Sequence, residues 1–298
     1  MPVRPTIAVI IPAFGPTPHL RDVLNGVRAQ SRAADAVYLS HSGSHDPTDW
    51  LACEYPEVTV LHSDERLFAG AARNRAARIT EADILAFTDC DTRPDLRWLE
   101  HAESRLRGST EIFVVGSVSV ARGGGYWGMT TWLCEFSEQA PWRRSGEQRG
   151  GASCNMAVRK AHLSAVDFFP EDFRAGQDTM LFHRLRSSGR IQVFAPEMEV
   201  SHFNIPGFGH MARHLYNQGR HFAKVRTFET LPGHIAIRYW PLAPLLGVAK
   251  GGKIIGRMLG HINGLSKVIY LPGILLGVAI WNAGCTYAAV TRNFTGRY

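Results

Sequence analysis

At 298 residues the chain has room for one large α/β domain, or for one domain and an appendage. Its net charge of +7 is unevenly placed: from Phe222 onward nine basic residues face the single acid Glu229, so this tail carries +8 and the first 221 residues sum to about −1. A nearly neutral body with a strongly basic end points to an anionic membrane surface or to nucleic acid. Five scattered cysteines (Cys53, Cys90, Cys134, Cys154, Cys285) show no paired zinc-type spacing, which excludes a disulfide framework and implies free thiols in a reducing compartment. With Met1-Pro2-Val3-Arg4-Pro5-Thr6 running straight into a strand and no secretory apolar segment, the body is expected in the cytoplasm.

Ile7–Ile11 is a continuous apolar run, as expected of a parallel strand buried on both faces, and it stops at Pro12-Ala13-Phe14-Gly15-Pro16. Leu20, Val23, Leu24 and Val27 then recur at helical spacing. Ala36–Leu39 is a second strand leading into the turn-rich Ser40–Asp46, and Val58–Leu61 a third. Gly70–Ile79 reads as a helix of small residues carrying Arg73 near its start. This alternation predicts an α/β fold with a doubly wound, mostly parallel sheet. No Gly-x-Gly-x-x-Gly follows the first strand and no Walker-type Gly-Lys-Ser/Thr occurs, so metal and arginine, rather than a glycine-rich loop, are expected to hold any phosphate. Arg73 has the planar fork for that task, against the alternative of an ordinary surface arginine on an Ala-rich helix.

The next strand, Ile84–Thr88, ends in Asp89-Cys90-Asp91. Ligands collect beyond the carboxyl ends of such strands, and two carboxylates one residue apart repel each other unless a cation joins them. Hard oxygen donors suit Mg²⁺ or Mn²⁺ shared with a substrate diphosphate. The competing reading is an Asp-rich turn before Arg93-Pro94. Leu96–Leu106 is helical and Ile112–Val120 a strand. From Gly123 to Gly151 the chain is rich in Gly, Trp and Arg, including Trp127, Trp132 and Trp142. That composition fits a mobile wall over a carbohydrate or lipid acceptor, or equally tryptophans packed under an insertion.

Asn155–Arg159 is a short strand. Asp178 stands at the start of a helix running from Thr179 to Ser188, where a carboxylate serves either as a cap or as a general base aimed at the acidic strand. Val200-Ser201-His202 ends the last strand. His210, His214 and His221 can share one helix face, but without a matching Glu or Cys they are weak grounds for zinc. Past Leu231, Ile255, Met258, Leu259 and Ile262 are expected on one helical face and Lys250, Lys253 and Arg257 on another, the layout of an interfacial helix with its basic side toward lipid headgroups. Val268–Thr291 holds no charged residue and is long enough to span a bilayer, though Pro272, Gly273, Gly277 and Gly284 interrupt it and leave an in-plane hairpin open. The alternative is a hydrophobic helical pair packed on the catalytic domain or against a second subunit in a homo-oligomer.

Taken in order from Thr6 to Arg226, these segments resemble the inverting family-two glycosyltransferases of GT-A fold, of the bacterial membrane-associated type. The resemblance sets residues 1–226 as the GT-A domain and 227–298 as a membrane-associating helical tail. Pro12, Ala13 and Phe14 match the family's opening strand and nucleobase pocket; Gly70-Ala71-Ala72-Arg73-Asn74 matches the helix whose arginine faces the nucleotide. Thr88-Asp89-Cys90-Asp91 matches the Asp-x-Asp signature, implying Asp89 and Cys90 on the nucleotide-sugar and Asp91 on a Mn²⁺ or Mg²⁺ ion. Gly151–Val158, with Asn155, matches the acceptor side, where Gln177 and Trp142 are also expected. Asp178 falls at the catalytic base, and His202 where many members contact metal or diphosphate.

Two positions depart from the pattern: Ser40-His41-Ser42 replaces the usual acidic pair, leaving His41 beside the base, and Gln177 stands for the usual Glu. The Gln-x-x-Arg-Trp signature of processive members is absent, which implies one sugar added per encounter. The implied partners are a nucleoside-diphosphate sugar, a lipid-linked or glycan acceptor and the cytoplasmic face of the inner membrane, with no nucleic acid. Two other readings compete. A haloacid-dehalogenase-type phosphatase also opens on Asp-x-Asp, but there a Thr or Val follows after one spacer, where this chain has Arg93. A membrane partner that binds sugar nucleotide without turnover would fit the altered Ser40-His41 and Gln177.

Overall fold

The computed structural model describes residues 4–260 and 264–292, and the side chains from residue 268 in the second range. The expectations that fell on Ile262, on the Lys267 side chain and on Arg297 lie outside the described residues. Two compact units form: one comprises the chain up to Ser119 with Gln139–His202, the other Val120–Glu138 with the chain from Phe203 onward.

The first unit is built on a mixed sheet. β1 (Ile7–Phe14), α1 (Leu20–Arg28), β2 (Ala36–Ser42), α2 (Thr48–Glu54), β3 (Val58–Leu61), α3 (Ala69–Ile79) and β4 (Ile84–Thr88) alternate as expected. Their strands lie parallel in the order β3-β2-β1-β4. The apolar runs of β1 and β4 are buried on both faces, which is why neither shows the alternation of a half-exposed strand. Ile10 pairs with Phe87 and Ala13 with His41, so β1 overshoots β4 and carries Pro12, Ala13 and Phe14 past the carboxyl edge of its neighbour.

Beyond β4 the ladders become antiparallel. β5 (Thr92–Pro94), α4 (Trp98–Arg107) and β6 (Ile112–Val120) follow in the chain, then α5 (Gly125–Phe136), β7 (Gly146–Glu147), β8 (Asn155–Arg159), α6 (Lys160–Ala165), α7 (Gln177–Ser187) and β9 (Ile191–His202). β8 lies against β4 with Thr88 opposite Asn155, and β5 against β9 with Thr92 opposite His202. One core cluster joins Ile10, Leu85, Phe87, Val115 and Met156 on the sheet to Ala76 and Ala77 on α3 and to Leu181 and Leu185 on α7.

The second unit is helical: α5, α8 (Phe208–Phe228), α9 (His234–Arg238), α10 (Ala243–Leu259) and α11 (Gly264–Thr291). α8 runs unbroken across residue 226, where the domain boundary is expected, and packs with α11. A Cβ on Gly219 of α8 would collide with the Trp281 carbonyl of α11, so these two helices need glycine to approach. The Gly- and Trp-rich stretch is not a loop throughout: much of it is α5, with Trp132 buried. The basic stripe expected on α10 is also corrected. Lys250 lies with Nζ 5.0 Å from the Trp281 ring, and Arg257 pairs with Glu138 at 3.2 Å, so two of its three cations point to protein rather than to headgroups.

Candidate active site

The Asp-x-Asp turn is shaped by two buried threonines. Thr92 Oγ1 accepts the Asp89 backbone N–H at 2.7 Å and lies 2.7 Å from Thr88 Oγ1, while the Thr92 N–H donates to the Asp89 carbonyl at 3.1 Å. Held in this way, Asp89 and Asp91 turn outward at the end of β4 instead of extending the strand. Asp91 is half-buried, its side chain 44% exposed, and its Oδ2 is 3.8 Å from Nε2 of His202, brought there by the β5–β9 ladder.

Arg73 is no surface arginine: it is only 2% exposed and donates from Nη2 to Asp89 Oδ1. Its Nε and Nη1 have no hydrogen-bond partner among the described residues, and the guanidinium lies 5.4 Å from the Phe169 ring. Leaving buried donors unpaired is costly, so this position is over-determined by its neighbours. The neighbours are identifiable. Asn74 donates to the Phe169 carbonyl and to Glu171 Oε1, both at 2.8 Å, and accepts the Phe169 N–H at 3.0 Å. A Cβ on Gly70 would sit 2.5 Å from the Pro170 carbonyl oxygen, so the small residue lets α3 close on this segment. Just before it, Asp167 and Phe168 both take positive φ (59° and 58°), a strained backbone for non-glycine residues.

Asp178 lies in the first turn of α7 and receives the Thr179 N–H at 2.7 Å. Burial pushes its carboxyl above the usual carboxylate range. The backbone N–H groups of Thr179 and Ser153 and the charge of Arg73 pull it back down, and Asp89 pushes it up. Asp178 thus lies within electrostatic reach of both Arg73 and Asp89, which pair with each other. Gln177, next to it, is buried with its Oε1 unpartnered among the described residues. Burial, reinforced by both aspartates, drives the Cys90 thiol upward, so it stays a neutral thiol in this turn.

On the nucleobase side Pro12 and Ala13 are buried, and Phe14 is 48% exposed with the Arg66 guanidinium 4.3 Å above its ring. Arg66 was not singled out from sequence; it stands in a loop tied to β2 by the Leu67 N–H to Ser42 Oγ bond, at 3.1 Å. His41, expected beside the base, turns both ring nitrogens to the protein. It is buried, with Nε2 2.9 Å from the Gly15 carbonyl and Nδ1 3.1 Å from His62 Nδ1. The carbonyl can only accept, so Nε2 carries a hydrogen. Both ring nitrogens therefore serve the loop. Asn155, expected on the acceptor side, is likewise engaged by the protein. It is fully buried, donates to the Ser117 and Met198 carbonyls at 2.7 Å each, and accepts from Trp98 Nε1 at 2.8 Å. It ties strands together and leaves no donor for a substrate. Trp142 is half-buried in the segment between α5 and β7.

No group of three or more His, Cys, Asp or Glu side chains converges on a cation position among the described residues. The Asp91–His202 pair, 3.8 Å apart, is within the span of one ion bound at ~2.1 Å from each ligand. One carboxylate and one imidazole, with the remaining positions left to water and phosphate oxygens, fit the way Mg²⁺ or Mn²⁺ is held beside a diphosphate.

Residues 8–166 match the sequence profile described as glycosyl transferase family 2, more than half of the chain. The chain belongs to glycosyl transferase family 2. The chain is 32% identical over 123 residues to glycosyltransferase AglD of Haloferax volcanii, a match covering 37% of the present chain and only 19% of that relative. Among solved structures it resembles S. aureus TarS 1–349 in complex with UDP-GlcNAc, with a TM-score of 0.58 at 13% identity over 97% of this chain and 88% of the other. It also resembles GalNAc-T7 with UDP, GalNAc and Mn²⁺, with a TM-score of 0.56 at 13% identity over 72% of this chain and 48% of the other. These likenesses show the GT-A fold. The family sets aside the phosphatase reading of Asp-x-Asp.

Proposed function

We propose that this glycosyltransferase moves one sugar from a nucleoside-diphosphate sugar to a hydroxyl of a lipid-linked or glycan acceptor, with inversion, at the cytoplasmic face of the cell membrane. The observations that carry this reading are the Arg73–Asp89 pair with Asp178 in electrostatic reach of both, and the Asp91–His202 pair that follows in the same turn. UDP and UDP-sugar in the similar structures support the donor class, and Mn²⁺ in one of them supports a divalent ion. Asp178, its carboxyl raised above the usual carboxylate range by burial, takes the proton from the acceptor hydroxyl as that oxygen attacks the anomeric carbon. The bond from that carbon to the diphosphate breaks, and the diphosphate leaves with the electron pair. Arg73 holds Asp89 in place toward the nucleotide and supplies fixed positive charge behind it. A Mn²⁺ or Mg²⁺ ion held by Asp91 and His202 would neutralise charge on the departing diphosphate.

The test measures UDP binding by calorimetry with and without Mn²⁺, and sugar transfer from a panel of nucleoside-diphosphate sugars. Asp178→Asn should bind UDP like the wild type and lose turnover by ~10²–10⁴-fold, the range for a general base. Full turnover in that variant would remove Asp178 from the mechanism. Binding without turnover in the wild type would favour a sugar-nucleotide-binding partner instead.

A further inference from the structure

Two helices of the second unit carry more apolar surface than their packing uses. On α10 the inward face is Gly247, Gly251, Ile254 and Met258. A second apolar stripe on the same helix faces out: Leu245 is 60% and Val248 73% exposed, with Leu259 along the same line. On α11 the inward face packs on α8 and α5, through Gly219 against Trp281 and Gly277 against Leu215 and Cys134. Its outward face presents Leu275, Leu276, Tyr287 and Val290, with no charge between Val268 and Thr291. A helix facing water on one side is ordinarily polar there, so these outer stripes are built for an apolar neighbour.

The rim of the surface says which neighbour. Tyr239 and Trp240 are exposed beside Arg238, whose carbonyl accepts from Arg292 Nη2 at 2.9 Å, so aromatic and basic residues gather where α9 meets the end of α11. Amphipathic rings beside arginines are the composition of the headgroup level of a bilayer. We propose that this unit sits in a single leaflet, with α10 and α11 lying in the membrane plane and their outer stripes among the acyl chains, and that α11 does not cross. The inference rests on the membrane association read above and is independent of the transfer chemistry. At 1.5 Å per residue the 24-residue apolar stretch reaches about 36 Å, enough to span. Packing forbids it: α8, which carries Arg213, Arg220, Lys224 and Arg226, lies along α11 and would be drawn into hydrocarbon with it. Attachment is chiefly apolar, because Lys250 and Arg257 are turned to protein partners and only Lys253 of the three α10 cations is exposed.

The full chain is added to preformed phosphatidylcholine vesicles and floated on a density gradient in 0.1 M and 1 M NaCl. Equal flotation at both salt concentrations is expected, with most of it lost in Leu245→Asn/Val248→Asn at unchanged circular dichroism. In a Cys53→Ser background, Gly260→Cys and Arg292→Cys, which flank α11, should both react with a membrane-impermeant maleimide supplied outside. Protection of one of the two until detergent is added would show a crossing helix and overturn the in-plane arrangement. Binding that needs anionic lipid and disappears at 1 M salt would overturn the apolar attachment. Failure to float, with a dimer by light scattering, would assign the stripes to a second copy and remove the membrane reading with them.

Discussion

At residue scale, a single position shows how chemistry and stability pull apart. Asp178 is raised above the ordinary carboxylate range chiefly by burial, so its charged form weakens the fold. The sign follows from linkage: a folded-state pKa above the unfolded one gives stability present below the unfolded value and lost as pH rises through the folded one. Asparagine keeps the acceptor for the Thr179 N–H and carries no charge. Asp178→Asn should therefore be more stable than the wild type near pH 8, by about 0.5–2 kcal/mol as at other relieved functional sites, with the gap closing toward pH 3. Thermal melts across that range check it; equal melting temperatures at every pH would contradict a destabilising carboxylate. The same shift should place the acid limb of turnover above the usual carboxylate range. Asp178 and the Asp-x-Asp pair were legible as single letters in sequence. What the His41 and Asn155 side chains bond was not legible, because a family position names a residue type and not its partners.

At the scale of elements, α3 decides whether Arg73 reaches Asp89. Helix propensity alone would favour alanine at position 70 by ~1 kcal/mol. The collision with the Pro170 carbonyl oxygen opposes it, and overpacking of this kind costs about 1–3 kcal/mol. Gly70→Ala should thus be destabilised in urea and bind UDP more weakly, because the Asn74 links to Phe169 and Glu171 must shift as well. A fully stable variant with native affinity would mean that the close approach has no bearing on the site. The helix itself was readable from its small residues. Its partner segment was not, since 95 residues separate Asn74 from Phe169.

At the scale of the whole molecule, the residues proposed for the donor site lie in the sheet unit and the outward apolar stripes lie in the helical unit. The two should separate by mutation. Leu245→Asn/Val248→Asn should bind UDP like the wild type, and Asp178→Asn should float with vesicles like the wild type. Calorimetry on the first and flotation on the second test this; loss of UDP binding in the first would show that the helical unit supports the donor site.

The sequence by itself determined the alternation of strands and helices, the family, and the carboxylates at the end of β4, because apolar period and short motifs are local properties of the chain. Only the tertiary structure decided the antiparallel half of the sheet, the placing of His202 beside Asp91, the burial of Arg73 and the inward turn of Lys250 and Arg257. Each of those depends on which distant segments pack together, and periodicity along one stretch carries no information about its partner.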